Sequence, residues 1–107
     1  MIISKTLKGG NVILTLDGRL DVDTSSVLQD ALTPAFNDTG ESGSVILDFG
    51  KMAYVSSAGL RVLFFGEKTA KEKNIPMKIV NVPREVNNIF DMTGFSDKLN
   101  IERKGEN

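Results

Sequence analysis

Ser56 and Ser57 carry the two adjacent hydroxyl groups that are best placed for chemistry in this 107-residue sequence. The spacing of apolar residues predicts a helix that begins at Ser57, and backbone N–H groups at such an end have no partner and meet the positive end of the helix dipole. A phosphate group on either oxygen would be favoured there. The plainer interpretation is that one hydroxyl caps the helix, which contributes about 1 kcal/mol.

A nucleophilic serine is the other chemistry to consider, and it needs a base. The sequence has no histidine and no Gly-x-Ser-x-Gly elbow, so Lys51 is the one conceivable base. Cysteine is absent too, which removes disulfides, thiolate chemistry and, with histidine, the commonest transition-metal ligands. We therefore expect a protein that is not an enzyme and that holds no metal and no cofactor.

Composition and charge exclude other classes of function. Lys and Arg number 13 against 14 Asp and Glu, so we expect no direct contact with nucleic acid or with an anionic membrane. No apolar run approaches the roughly 20 residues of a membrane helix, and the N-terminus is too polar for a signal peptide. We expect a soluble cytoplasmic protein with a single domain over residues 1–107 and a core from about 2 to 101.

The elements that must position the two serines follow from residue patterns. Strands are predicted at 2–7 and 12–16, joined in a hairpin by Gly9-Gly10, and a buried strand at 44–49 is placed in the middle of the sheet. A further short strand is expected at 77–80 and an uncertain one at 99–101.

Three helices alternate with these strands. The first follows the apolar stripe from Val27 to Phe36, capped by Asp23 or Thr24 and bent or shortened by Pro34. The others are predicted from Ser57 to about Lys73 and from Pro83 to Thr93. This order predicts an α/β fold: a mixed, mostly parallel sheet of four to five strands, opened by a β-hairpin, with three to four helices.

Loops that leave the carboxyl ends of parallel strands meet on one rim of such a sheet, where partners usually bind. Here these loops are 17–23, 50–56 and 81–82. We expect Asp21 and Asp23 to lie beside Ser57. A helix cap and a solvated turn explain the two aspartates equally well.

Two segments resemble those of a known family. Val55-Ser56-Ser57-Ala58-Gly59-Leu60-Arg61-Val62-Leu63, preceded by the strand 45–48 and by Tyr54, resembles the phosphorylation-site segment of STAS-domain anti-sigma-factor antagonists of bacteria. Gly18-Arg19-Leu20-Asp21-Val22-Asp23-Thr24 is similar to the family's segment before its first helix. The element order agrees over residues 2–101.

The resemblance implies that Ser57 is the phosphoacceptor. Some members of the family have an aspartate directly before that serine, where this chain has Ser56, so Ser56 stays open as an alternative. Together with Asp21 and Asp23, which are included for their expected place beside Ser57, the residues predicted to contact the partner are Thr24, Ser56, Ser57, Gly59 and Leu60.

The function that the resemblance implies is signalling in transcription regulation through protein–protein interaction. The unmodified protein would bind an anti-sigma factor that is also a serine kinase of the GHKL type, and would thereby release a sigma factor. Phosphorylation by that kinase would end the binding, and a PP2C-like phosphatase would restore it. The alternative is a STAS-like scaffold or sensor that binds a small anion, a nucleotide or another signalling protein without being phosphorylated.

Overall fold

The computed structural model describes residues 1–105 and has one five-stranded sheet. The elements in chain order are β1 Ile2–Lys8, β2 Asn11–Leu20, α1 Ser25–Asn37, β3 Val45–Val55, α2 Ser57–Lys73, β4 Met77–Val82, α3 Arg84–Thr93, a 3₁₀ turn Phe95–Asp97 and β5 Ile101–Arg103. The strands lie in sequence order; β1 and β2 are antiparallel, and β2 to β5 are parallel. The predicted α/β class is confirmed, with β3 in the middle.

The sheet opens with the predicted hairpin. Gly9 and Gly10 have φ angles of 58° and 85°, which glycine adopts without steric cost and which a two-residue turn between antiparallel strands requires. Residues Ile2 to Lys8 then pair with Asp17 back to Asn11.

The core forms where the helices pack on one face of the sheet. Alternate residues of β2 and β3 are buried from Val12 and Val45 onward, and they meet the apolar stripes of the helices. Phe49 of β3 lies 6.2 Å, between ring centroids, from Phe90 of α3. Residues between the buried ones, such as Ile46, are only partly buried.

Three strands extend further than the sequence predicted. β2 runs to Leu20, β3 to Val55 and β4 to Val82, so residues 17–20, 50–55 and 81–82 are strand and the prediction of loops there was wrong. Register shifts between Thr15 and Asp17 and between Gly18 and Arg19 explain the error in β2 and β3. Such irregularities break the alternation of side chains while the backbone pairing continues.

Three further details differ from the prediction. Thr24 occupies the N-cap position of α1 but makes no side-chain cap bond, and Pro34 lies inside the helix, which continues to Asn37. The last strand is Ile101–Arg103 in place of 99–101. Three residues carry little apolar pattern, so its register could not be read from the sequence.

Gly59 determines how closely α2 packs on β2. The bounds of this helix agree with the prediction. A Cβ atom at Gly59 would lie 2.7 Å from Cγ and 2.9 Å from the carbonyl oxygen of Leu20. Both distances are below van der Waals contact, so only a residue without a side chain allows this approach. The first turn of α2 therefore lies directly against the end of β2.

We predict that Gly59→Ala lowers the free energy of unfolding. Alanine stabilises a helix by about 1 kcal/mol relative to glycine. The clash with Leu20 costs about 1–3 kcal/mol. One of the atoms that the added methyl group meets is the backbone carbonyl oxygen of Leu20, which cannot move away. Gly66→Ala in the same helix is the control, because its added methyl meets side-chain ends of Leu32 and Met77 at 3.1 Å. Urea denaturation should rank Gly59→Ala as the less stable variant; a stability equal to wild type would contradict the packing argument.

Candidate functional site

The carboxyl ends of β2 and β3 bring the predicted site residues together. Leu20 pairs with Val55, and the backbone N–H of Ser56 donates to the carbonyl of Leu20 at 2.8 Å. Asp21 follows Leu20 directly, and Ser57 follows Ser56. The turn 21–24 and the N-terminus of α2 are therefore neighbours.

The third predicted loop lies elsewhere. β3 pairs with β4 only as far as Asp48 with Val80, and Asn81 donates from its side chain to Asp48 at 3.2 Å. Asp48 precedes Val55 by seven residues of strand, a rise of about 23 Å. The site near Ser57 is therefore built from β2, β3 and α2, and the prediction that residues 81–82 join it was wrong.

The two serines have different environments. Ser56 is the N-cap of α2: its Oγ accepts the N–H of Gly59 at 3.3 Å, and its carbonyl accepts the N–H of Leu60 at 2.9 Å. Ser57 is the first helical residue and is exposed. Within residues 1–105 its hydroxyl has no hydrogen-bond partner. The cap thus occupies the hydroxyl of Ser56 and leaves that of Ser57 available for modification.

The turn 21–24 is held by its own hydrogen bonds. Oδ1 of Asp21 accepts the N–H groups of Asp23 at 3.0 Å and Thr24 at 3.1 Å, and the Thr24 hydroxyl donates to the carbonyl of Arg19 at 2.7 Å. The hydrogen bond from the Thr24 backbone is the largest cause that lowers the pKa of Asp21. Asp21 is therefore ionised at neutral pH, and its turn fixes an acidic group beside the helix.

Sequence patterns did not reveal the contact between Arg19 and Tyr54. The two residues are opposite each other in β2 and β3, and Cζ of Arg19 lies 4.6 Å from the centroid of the Tyr54 ring, which is a cation–π geometry. Tyr54 is 38% exposed, and Val22 in the adjacent turn is 75% exposed. Only the register of the extended strands could have predicted this pair.

We use the name Ser57 surface for five exposed residues from the ends of β2 and β3, the turn 21–24 and the first position of α2. They are Arg19, Val22, Asp23, Tyr54 and Ser57. Gly59 and Leu60, which the resemblance implied as partner contacts, are buried, and Leu60 is 5% exposed. They position α2 from the core side and offer no surface to a partner.

Lys51, the conceivable base for serine hydrolysis, lies away from Ser57. Lys51 lies in β3 opposite Asp17, four strand residues before Val55, which is a rise of about 13 Å. This distance excludes it as a base for Ser57. In the described part of the chain, no group of three or more His, Cys, Asp or Glu residues is arranged to hold a metal ion. No described helix has the length and apolar character to span a membrane.

Known proteins are similar to this chain in sequence. The STAS domain family matches residues 3–106. The anti-sigma-B factor antagonist of Bacillus subtilis is 26% identical over 96 residues, which are 90% of this chain and 85% of that protein. BtrV of Bordetella bronchiseptica is 31% identical over 86 residues, 80% of this chain and 72% of that protein.

Solved structures agree on the fold. The anti-sigma factor antagonist SpoIIAA in its unphosphorylated form superposes with a TM-score of 0.76 at 13% identity, covering 97% of this chain and 90% of that one. The phosphorylated form of SpoIIAA, a Bacillus cell fate determinant, gives a TM-score of 0.69 at 13% identity, over 97% and 93% of the two chains. This chain therefore belongs to the STAS domain family and, within it, to the anti-sigma factor antagonists.

Proposed function

We propose that this protein binds an anti-sigma factor through the Ser57 surface and that phosphorylation of Ser57 ends the binding. The observation that carries the proposal is the different environment of the two serines. Ser56 uses its hydroxyl to cap α2, whereas Ser57 presents an exposed hydroxyl beside it. The named function of the Bacillus subtilis relative supports the class of partner, and the existence of a phosphorylated SpoIIAA supports modification as the switch.

The partner in this proposal is an anti-sigma factor that is also a serine kinase of the GHKL type. It transfers the γ-phosphate of ATP to Ser57, and a PP2C-like phosphatase later removes that phosphate. ATP and any metal ion are bound by those two enzymes, so this chain needs no cofactor of its own. All these reactants are cytoplasmic, and the protein acts there by binding and release.

The composition of the Ser57 surface suits a protein interface. Tyr and Arg are enriched at the energetically important positions of interfaces, and Arg19 and Tyr54 are already held against each other at 4.6 Å. Little side-chain entropy is then lost when a partner covers them. Val22 adds an apolar side chain that is 75% exposed. Burial of this side chain under a partner would favour binding.

Phosphorylation changes the charge at the middle of this surface. A phosphate adds about −1.5 to −2 charges next to the ionised Asp21 and to Asp23. Repulsion from any acidic group on the partner, and the cost of removing water from the phosphate, oppose docking. The fold itself tolerates the group, because the dipole of α2 favours negative charge at its N-terminus.

We predict that the two serines separate in a phosphorylation assay. Incubated with ATP and an extract of cells that produce the protein, wild type and Ser56→Ala should each gain one phosphate by intact-mass measurement, and Ser57→Ala none. Ser56→Ala should lose about 1 kcal/mol of unfolding free energy with its cap, while Ser57→Ala stays within about 0.5 kcal/mol of wild type. A phosphate in Ser57→Ala would show that another residue is the acceptor.

We also predict the effect of a fixed charge on binding. With the kinase recovered by pull-down from the same extract, Ser57→Asp should bind about tenfold or more weakly than wild type, since juxtaposed like charges cost several kcal/mol. Ser57→Asn is the matched control, because asparagine has the size of aspartate but no charge, and this variant should bind like wild type. The three proteins should have similar melting temperatures.

The outcomes distinguish the proposal from its alternative. Equal loss of binding in Ser57→Asn and Ser57→Asp would assign the effect to shape and not to charge. If the wild type gains no phosphate and binds no kinase, the unmodified scaffold or sensor becomes the better function.

A further inference from the structure

Arg61 is the cation that a phosphate on Ser57 would meet on its own helix. The two residues are one turn apart on α2, and both are exposed. Side chains at positions i and i+4 of a helix are neighbours, with Cβ atoms about 5–6 Å apart. A negative group on the N-terminal side of a positive one is the favourable order for such a pair.

The cation that the Ser57 surface itself contains is already engaged. Arg61 is the only charged residue among positions 57 to 66. Arg19 lies over the ring of Tyr54, whereas Arg61 has no ion pair or hydrogen bond from its side chain within residues 1–105. The groups on the adjoining turn are the carboxylates of Asp21 and Asp23, which repel a phosphate and increase its need for a counter-charge.

Backbone donors complete the surroundings of such a phosphate. In the first turn of α2, Ser56 already accepts the N–H groups of Gly59 and Leu60. The N–H groups of Ser57 and Ala58 have no acceptor in the described part of the chain, as expected for the first residues of a helix. A phosphate on Ser57 can therefore turn toward its own helix and lie between these donors and the guanidinium group of Arg61. A guanidinium group can bind two phosphate oxygens with two parallel hydrogen bonds.

We infer that Arg61 is a positioning residue of the switch: it pairs with an acidic group of the partner while Ser57 is unmodified, and with the phosphate after modification. Phosphorylation then acts twice, by adding negative charge to the Ser57 surface and by withdrawing the neighbouring cation Arg61 from the partner. This inference rests on the proposed phosphorylation of Ser57. Because Arg61 is an exposed cation with no ion pair among residues 1–105, charge complementarity adds that the partner presents a carboxylate to it.

The pairing is tested on protein that carries phosphoserine at position 57, introduced during expression by amber suppression. The second ionisation of the phosphate is followed by ³¹P NMR as a function of pH in wild type, Arg61→Gln and Arg84→Gln. Arg84→Gln removes an equal charge from the exposed first residue of α3 and is the matched control. Arg61→Gln should raise the phosphate pKa by about 0.2–0.4 relative to wild type, and Arg84→Gln should leave it unchanged.

Binding of the unmodified protein to the kinase tests the other half of the inference. Arg61→Gln should weaken this binding several-fold, Arg61→Lys should restore part of it, and Arg84→Gln should have no effect. A phosphate pKa that is equal in wild type and Arg61→Gln would overturn the pairing, even if phosphorylation still abolishes binding. Undiminished binding by Arg61→Gln would overturn the contact with the partner. Binding that persists after phosphorylation would instead overturn the proposed function.

Discussion

The close approach of α2 to the end of β2 is the constraint on which the site depends. The N–H of Ser56 donates to the carbonyl of Leu20 at 2.8 Å, and this contact is possible because Gly59 has no side chain to strike Leu20. The same approach places the turn 21–24 next to the first turn of the helix. Two segments that are about 35 positions apart in the chain thereby become neighbours.

This constraint also explains why two neighbouring serines have different roles. The residue that bonds to β2 through its backbone must have the extended conformation of an N-cap, and Ser56 has a ψ of 175°. Its side chain then faces the helix N–H groups and accepts one of them. The next residue enters the helix and points to solvent. The hydroxyl of Ser57 is thus left without a structural role, because Ser56 already fills the position of the cap.

Sequence patterns predicted the elements well and their ends poorly. The bounds of α2 were correct because its apolar residues repeat at helical spacing and Asn74 closes it with a left-handed conformation. β2 and β3 were predicted too short because polar residues and register shifts interrupt the alternation near Asp17 and Gly18. The contact of Arg19 with Tyr54 could not be predicted for the same reason, since it depends on the pairing of those extensions.

The family resemblance and the geometry contribute different parts of the account. The resemblance selected the segment around Ser57 but left Ser56 as an alternative. The hydrogen bond from Gly59 to Ser56 Oγ favours Ser57 on physical grounds, and the burial of Leu60 removes it from the contact surface. Asp21 and Asp23 lie in the turn that follows β2, where Asp21 is held by hydrogen bonds within the turn and Asp23 is an exposed carboxylate.

The most direct test of the central claim is phosphosite mapping by tandem mass spectrometry on the protein isolated from its own cells with phosphatases inhibited. The account predicts phosphate on Ser57 and none on Ser56 in the peptide that contains both. Phosphate on Ser56 would contradict it, because the capping hydroxyl would then be the acceptor.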